Sequence, residues 1–170
     1  MALCNNLGGD SSIGIGYSAL CSSTNNPRNI AIGSKALCDL TNGTDNVVIG
    51  TQICCMVSGS CNVAVGAGAG TSLSNGSYNV IMGDNAAKNF DSGEGNIFIG
   101  TNAGCCVTAG ANNVMIGRYV GDDHAPMSCN NTFVGSFSGS DQCTCMNIAV
   151  GAFAGQKMGC CCTGNTHNIA

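Results

Sequence analysis

The stretch Asn96-Ile97-Phe98-Ile99-Gly100 is one copy of a short motif that decides the fold of this chain. The motif is an asparagine, three residues that are apolar in most copies, and a glycine. Its eight copies begin at Asn29, Asn46, Asn62, Asn79, Asn96, Asn113, Asn131 and Asn147. A ninth copy has Ser12 in the asparagine place, and a tenth, Asn168-Ile169-Ala170, stops at the last residue. Such regular recurrence indicates a stack of similar structural units.

The spacing of the closing glycines identifies the unit. From Gly16 to Gly151 the steps are 17, 17, 16, 17, 17, 17, 18 and 16 residues. Helical repeats need about 33 residues or more, whereas one coil of a β-solenoid is built from two short strands and two corners. We therefore predict an all-β fold, a parallel β-solenoid of nine to ten coils. Residues 1–170 are expected to form one repeat domain that begins and ends within a coil.

The composition limits the classes of function. Charged residues make up 8% of the chain, against roughly 25% in ordinary soluble domains, and the net charge is −4. The 5 Lys+Arg residues are scattered, so a nucleic-acid partner is not expected. No apolar run approaches the ~18 residues of a membrane span, and the first residues do not form a secretory signal.

The repeated asparagine predicts a ladder. Stacked at one corner of successive coils, the eight amides are placed to hydrogen-bond to one another and to the neighbouring backbone. The second corner is expected to be a tight turn, because dipeptides with turn chemistry recur there. These dipeptides are Asn42-Gly43, Ser58-Gly59, Asn75-Gly76, Ser92-Gly93, Ala109-Gly110 and Thr163-Gly164.

Three further positions of the repeat carry the apolar residues, and each position forms a column when the coils are stacked. Small residues such as Ala36 stand three places after the glycine, and larger ones such as Leu73 stand seven places after it. Within the motif, the first and third apolar residues are mostly β-branched and are predicted to point into the coil. The middle residue is then expected to face outward, and it is never polar. Its larger members are a candidate oligomer interface: Val48, Ile81, Phe98, Met115 and Phe133.

Cysteine is unusually frequent, with 14 residues. Five of them share the column five places after the glycine: Cys4, Cys21, Cys38, Cys55 and Cys105. Neighbours in this column would have Cα atoms ~4.8 Å apart, within the ~4.4–6.8 Å range of a disulfide. Disulfides between coils, first of all Cys4–Cys21 and Cys38–Cys55, are therefore expected. A column of reduced thiols and a metal or cluster site remain open as alternatives.

No catalytic constellation is recognisable. The chain has no Ser/His/Asp set at a known spacing, no P-loop and no Cys-x-x-Cys pair. His124 follows two aspartates in the one 18-residue repeat, which favours a loop insertion. We therefore expect no catalytic, cofactor-binding or metal-ligating residues and no enzyme activity.

Three longer units carry a family resemblance, namely residues 62–70, 96–104 and 147–155, which read NVAVGAGAG, NIFIGTNAG and NIAVGAFAG. They resemble the repeats of phage tail-fibre-like proteins and, more distantly, the head β-roll repeats of trimeric autotransporter adhesins. The resemblance covers nearly the whole chain. It implies a left-handed coil, a homo-oligomer such as a trimer, display of a host-receptor surface, and a place on a virion appendage or an extracellular surface.

The expected function is thus a structural and adhesive fibre component, assembled through the main-strand sheet or the coil ends. One alternative is a filament of solenoids stacked end to end. A minor alternative is an ice-binding solenoid, although the first column after the glycine, which includes Tyr17, Asp84 and Arg118, is no regular threonine array.

Overall fold

The computed structural model describes residues 2, 11–23, 26–53, 58–122, 128–139, 145–156 and 168–169. Within these ranges every regular element is a β-strand. In chain order the strands are β1 (Ile13–Ile15), β2 (Ile30–Ile32), β3 (Val47–Ile49), β4 (Val63–Val65), β5 (Asn75–Ser77), β6 (Val80–Met82), β7 (Ser92–Glu94), β8 (Ile97–Ile99), β9 (Gly110–Ala111), β10 (Val114–Ile116), β11 (Ser128–Cys129), β12 (Thr132–Val134), β13 (Asn147–Val150) and β14 (Asn168–Ile169). The described residues contain no helix of the length and apolarity needed to cross a membrane.

The ten motif strands form one parallel sheet in the order β1-β2-β3-β4-β6-β8-β10-β12-β13-β14. Equivalent motif positions pair throughout, so that Phe98 lies between Ile81 and Met115. The predicted parallel β-solenoid with a repeat of about 17 residues is therefore confirmed. The described residues show about seven turns, somewhat fewer than the nine to ten coils predicted.

Two independent constraints require the closing glycine of the coils from Gly16 to Gly135. Gly33 has φ +133° and Gly100 has φ +131°, a region that residues with a Cβ rarely adopt. A Cβ built on Gly33 would lie 1.8 Å from the carbonyl oxygen of Gly50, and one on Gly100 would lie 2.4 Å from that of Gly117. Backbone conformation and the close approach of the next coil both exclude a side chain here.

The second corner differs from the predicted tight turn. Asn75-Gly76 and Ser92-Gly93 lie within β5 and β7, which pair in parallel, and Gly110 belongs to β9, which pairs with β11. Asn42-Gly43 and Ser58-Gly59 lie on the same path, because isolated bridges join Asn42 to Ser58 and Ser58 to Asn75. The turn prediction is wrong at these positions; Thr163-Gly164 lies outside the described residues.

The reason for these glycines is again steric. A Cβ on Gly93 would lie 1.9 Å from the carbonyl oxygen of Gly110 in the next coil. Glycine therefore lets neighbouring coils pair closely as a short second strand, whereas the turn residues of the coil follow each motif glycine.

The core contains the middle residue of each motif strand, contrary to the predicted orientation. Val48, Ile81 and Phe98 are 0% exposed, and Met115 and Phe133 are 1% exposed. These five residues are interior packing, so their assignment as an oligomer interface is wrong. The two other predicted columns are confirmed. The residue three places after the glycine is buried in the described coils from Ala19 to Ser138 and half-buried at Ala154. Seven places after the glycine, Leu40, Leu73, Phe90 and Val107 are buried.

Packing across the coil explains this orientation. The position four places after the glycine is Gly104 in the coil of Phe98 and Gly139 in the coil of Phe133. A Cβ on Gly104 would lie 2.4 Å from the Phe98 ring, and one on Gly139 would lie 2.3 Å from the Phe133 ring. The aromatic rings occupy the space above these glycines, so they point inward.

Candidate functional site: the outward face of the main sheet

The residues on either side of the buried middle position form the opposite surface of the sheet. We call the outward face the two rows formed by the first and third apolar residues of each motif. The first row is Ile13, Ile30, Val47, Val63, Val80, Ile97, Val114, Thr132 and Ile148, and the second is Ile15, Ile32, Ile49, Val65, Met82, Ile99, Ile116, Val134 and Val150. Thr132 is the single polar member. These side chains are half-buried or exposed, reaching 57% exposure at Ile15 and 61% at Val150.

The dimensions of the outward face compare with those of protein interfaces. Nine strands at ~4.8 Å spacing span about 38 Å, and a five-residue motif is about 16 Å wide. The sheet surface that carries the outward face therefore measures about 600 Å², of the same order as the ~800 Å² per partner of a standard interface. An apolar patch of this order is at the upper end of what monomeric soluble proteins leave in water.

The asparagine ladder fixes the edge of this face. In each step the side-chain Nδ2 and the backbone N–H of one asparagine donate to the Oδ1 of the preceding one; for Asn96 and Asn79 both distances are 3.0 Å. The same pattern joins Asn29, Asn46, Asn62, Asn79, Asn96, Asn113, Asn131 and Asn147, all buried. The ladder that the sequence predicts is present.

A second set of bonds ties the ladder to the other side of the coil. The Nδ2 of Asn62 donates to the carbonyl oxygen of Gly76 at 2.7 Å, and that of Asn96 donates to Gly110 at 2.9 Å. The amides thus hold the motif strand to the short second strand as well as to the neighbouring coil. This arrangement keeps the coils in register and the outward face regular.

One ion pair joins neighbouring coils beside the ladder. Arg28 donates from Nε and Nη2 to the two carboxylate oxygens of Asp45, at 2.6 and 2.8 Å. The hydrogen bond from Arg28, with further contributions from Thr44 and the charge of Arg28, lowers the pKa of Asp45 to about 2. The same pairing raises the pKa of Arg28. Both groups are at the surface, so the pair is screened by solvent and adds little stability.

Three aromatic residues two places after the glycine stack on successive coils. The ring centroids of Tyr119 and Phe137 are 5.2 Å apart, and those of Phe137 and Phe153 are 5.3 Å apart. The guanidinium of Arg118 lies 4.8 Å from the centroid of Tyr119. The stacked rings cover one another's faces and stabilise this corner, and Phe153 at the end of the described stack is 60% exposed.

The cysteine column differs from the predicted disulfides. Cys21, Cys38 and Cys105 are thiols, and none of the three is in a disulfide; Cys4 and Cys55 lie outside the described residues. The Sγ of Cys21 lies 3.3 Å from the carbonyl oxygen of Cys38, and the Sγ of Cys38 lies 3.2 Å from Oδ2 of Asp39. Each of the predicted pairs Cys4–Cys21 and Cys38–Cys55 includes a residue outside the described ones, whereas the described members Cys21 and Cys38 are thiols with an oxygen atom nearby.

Cys105 has a different neighbour in its column. Its Sγ lies 2.6 Å from Oδ1 of Asp122, which occupies the equivalent place in the next coil, and 3.6 Å from the Sγ of Cys106. Burial raises the pKa of the Cys105 thiol, and hydrogen bonds with Asp122 and Cys106 raise it further. Sequence inspection missed this cluster because Asp122 lies outside any cysteine motif, although counting places after the glycine aligns it with Cys105.

The inward position of the middle column also had a sequence signal. The coils with Phe98, Met115 and Phe133 have glycine six residues later, whereas the coil with Ala31 has leucine there. Large residues matched with small ones at a fixed separation indicate that both positions share one interior.

Comparison with protein-family models, with curated proteins and with solved structures finds no match to this chain.

Proposed function

We propose that this chain is a rigid structural rod of an oligomeric fibre, such as a viral tail fibre or a cell-surface appendage. The observation that carries the proposal is the outward face, with its two apolar rows on an in-register sheet. Copies of the chain associate through this face, and the assembly holds or displays a host-receptor surface. The chain acts without catalysis, as a single solenoid domain of nine to ten coils.

The physical properties of the coil support a mechanical role. Hydrogen bonds between neighbouring coils run through the main strands, the second strands and the asparagine ladder. Bending the rod would have to break several of these bonds together. Side chains within the motif are short and mostly β-branched, so ordering them in an interface costs little conformational entropy.

The test compares charge placed on the outward face with equal charge placed elsewhere. Ile49→Glu combined with Ile116→Glu puts two carboxylates on the outward face. Ser34→Glu combined with Thr101→Glu is the matched control, because both of these residues are exposed and lie outside that face. Light scattering measures the mass of each purified chain, and circular dichroism checks the fold.

We expect the wild type and the control to be oligomers and the outward-face variant to be a folded monomer. Electron microscopy of the wild type then distinguishes a closed oligomer from a longer fibre. A dispersed wild-type monomer, or an outward-face variant with the full oligomeric mass, would refute assembly through this face. Filaments that grow from both double variants alike would favour the end-to-end alternative, and thermal hysteresis would favour ice binding.

A further inference from the structure

We propose that Cys105, Cys106 and Asp122 form a zinc site that joins two neighbouring coils. Their ligand atoms, two Sγ and one carboxylate oxygen, all lie within 4.8 Å of one another. The three residues are half-buried, so the site is reachable from solvent but partly shielded. This site goes beyond the structural role proposed above and does not depend on it.

Two of the three distances between the ligand atoms fit tetrahedral coordination. With Zn–S bonds of about 2.3 Å and Zn–O bonds of about 2.0 Å, a tetrahedral ion separates two sulfurs by about 3.8 Å and a sulfur from an oxygen by about 3.5 Å. The two sulfurs are 3.6 Å apart, and Sγ of Cys106 lies 3.7 Å from Oδ1 of Asp122. The 2.6 Å contact between Cys105 and Asp122 is a thiol–carboxylate hydrogen bond, which must lengthen when the metal replaces the proton.

The backbone holds the two halves of the site together. The N–H of Gly104 donates to the carbonyl oxygen of Val120 at 2.8 Å, directly before Cys105 in one coil and two residues before Asp122 in the other. The donors therefore approach each other through the solenoid stacking itself. This explains how a site arises without a Cys-x-x-Cys motif, since the coil period brings a residue 17 positions away alongside.

The donor set selects the class of metal. Two thiolates favour a soft or borderline ion and disfavour calcium and magnesium, which take oxygen ligands. On binding, Zn²⁺ takes the place of two thiol protons, which pass to solvent, and no electrons are transferred. The part of the chain that the structure describes supplies three ligands, and the fourth tetrahedral position takes water or a further ligand.

The experiment counts bound metal in the reduced full-length chain. Co²⁺ is titrated under anaerobic conditions, the visible absorption of tetrahedral thiolate-bound cobalt is followed, and Zn²⁺ is then added to displace it. Cys105→Ser with Cys106→Ser removes both thiolates. Cys21→Ser with Cys61→Ser is the matched control, which removes two thiols outside the site.

We expect the wild type and the control to bind one more equivalent of metal than the Cys105/Cys106 variant. Asp122→Asn, which preserves side-chain shape, should weaken that equivalent about tenfold or more, whereas Asp84→Asn should not. Equal metal content in the two double-serine variants, with circular dichroism showing both folded, would overturn the proposal. An unchanged affinity in Asp122→Asn would equally overturn it.

Discussion

The coil of β2 and the coil of β8 fill the same interior in opposite ways. In the first, the middle strand residue is Ala31 and the residue six places later is Leu37; in the second they are Phe98 and Gly104. The side chains of Ala31, Leu37 and Phe98 are all fully buried. The large residue comes from the turn in one coil and from the strand in the other.

This difference shows how much backbone strain a residue with a side chain has at the turn position. Leu37 has φ +49° and Gly104 has φ +59°, so both adopt the left-handed conformation. Glycine adopts this conformation without strain. In leucine the Cβ makes it less favourable by about 1–2 kcal/mol, and burial of the side chain in the core offsets this free energy. Not every coil combines one large and one small residue at these two positions. In the coil of β4 the residues are Ala64 and Gly70, and both are small.

Placing both large residues in one coil should overfill its interior. Gly104→Leu should destabilise the fold by about 3–5 kcal/mol, from overpacking against Phe98 and from backbone strain. Chemical denaturation measures the loss. Gly68→Leu is the control, because Gly68 has φ +65° but a Cβ there would meet only surface side chains; it should cost about 1–2 kcal/mol.

The same coil allows a double-mutant cycle. Phe98→Ala alone should cost about 3–5 kcal/mol through the cavity it leaves. Combined with Gly104→Leu, the loss should fall short of the sum of the two single losses by about 1–3 kcal/mol, because leucine then fills the space of the ring. Additive losses would show that the two positions do not share one interior.

The asparagine ladder is common to both kinds of coil and should therefore respond equally in each. Asn29→Ala and Asn96→Ala should each cost about 2–3 kcal/mol, because the following asparagine keeps buried donors without an acceptor. Thermal and denaturant unfolding measure both. Asn42→Ala, at an exposed place, should change stability by less than about 0.5 kcal/mol. A loss confined to one coil type would contradict a continuous ladder.

Ser23 marks a local weakness in the early coils. It stands where later coils have Leu40, Leu73 and Phe90, and its buried hydroxyl has no hydrogen-bond partner among the described residues. Ser23→Ala should leave stability unchanged or raise it by about 1 kcal/mol, measured by denaturation. A clear destabilisation would mean that the hydroxyl makes a bond that matters.

The smallest expected effect is the pH dependence of the Arg28–Asp45 pair. The folded pKa of Asp45, about 2, lies below the ordinary value of 3.8, so its contribution is present above about pH 4. It is lost as the pH falls towards 2. The difference in stability between the wild type and Asp45→Asn should follow this course in acid titrations, and a difference that persists at pH 2 would contradict it.

The repeat period and the asparagine ladder could be predicted from the sequence because each reflects one residue type at one place in every coil. The orientation of the motif strand could not be read from hydrophobicity, because all three positions are apolar. β-Branched residues such as Val47 and Ile49 favour strands whichever way their side chains point. Their presence therefore does not indicate which face of the sheet is turned to the core. Volume matching, as between Phe98 and Gly104, does carry that information.

The position of the second strand was wrong, and the thiol cluster was missed, for a different reason. The role of Gly93 depends on Gly110 in the next coil, and that of Cys105 depends on Asp122. Local turn and metal motifs describe contacts within a segment, whereas a solenoid places its closest contacts about 17 residues apart.

Methionine oxidation distinguishes the two possible orientations of the motif strand, because the strand buries its middle residue and presents the two neighbours outward. Met115 is a middle residue, 1% exposed, and Met82 is on the outward face, 40% exposed. The measurement is peroxide oxidation of the Ile49→Glu/Ile116→Glu variant, which is expected to be a monomer with an uncovered outward face. The sulfoxide at each methionine is followed by mass spectrometry. Met82 should be oxidised many times faster than Met115, and denaturant should abolish the difference. Oxidation of Met115 as fast as Met82 in the folded chain would show that the middle residue of the motif strand is not buried.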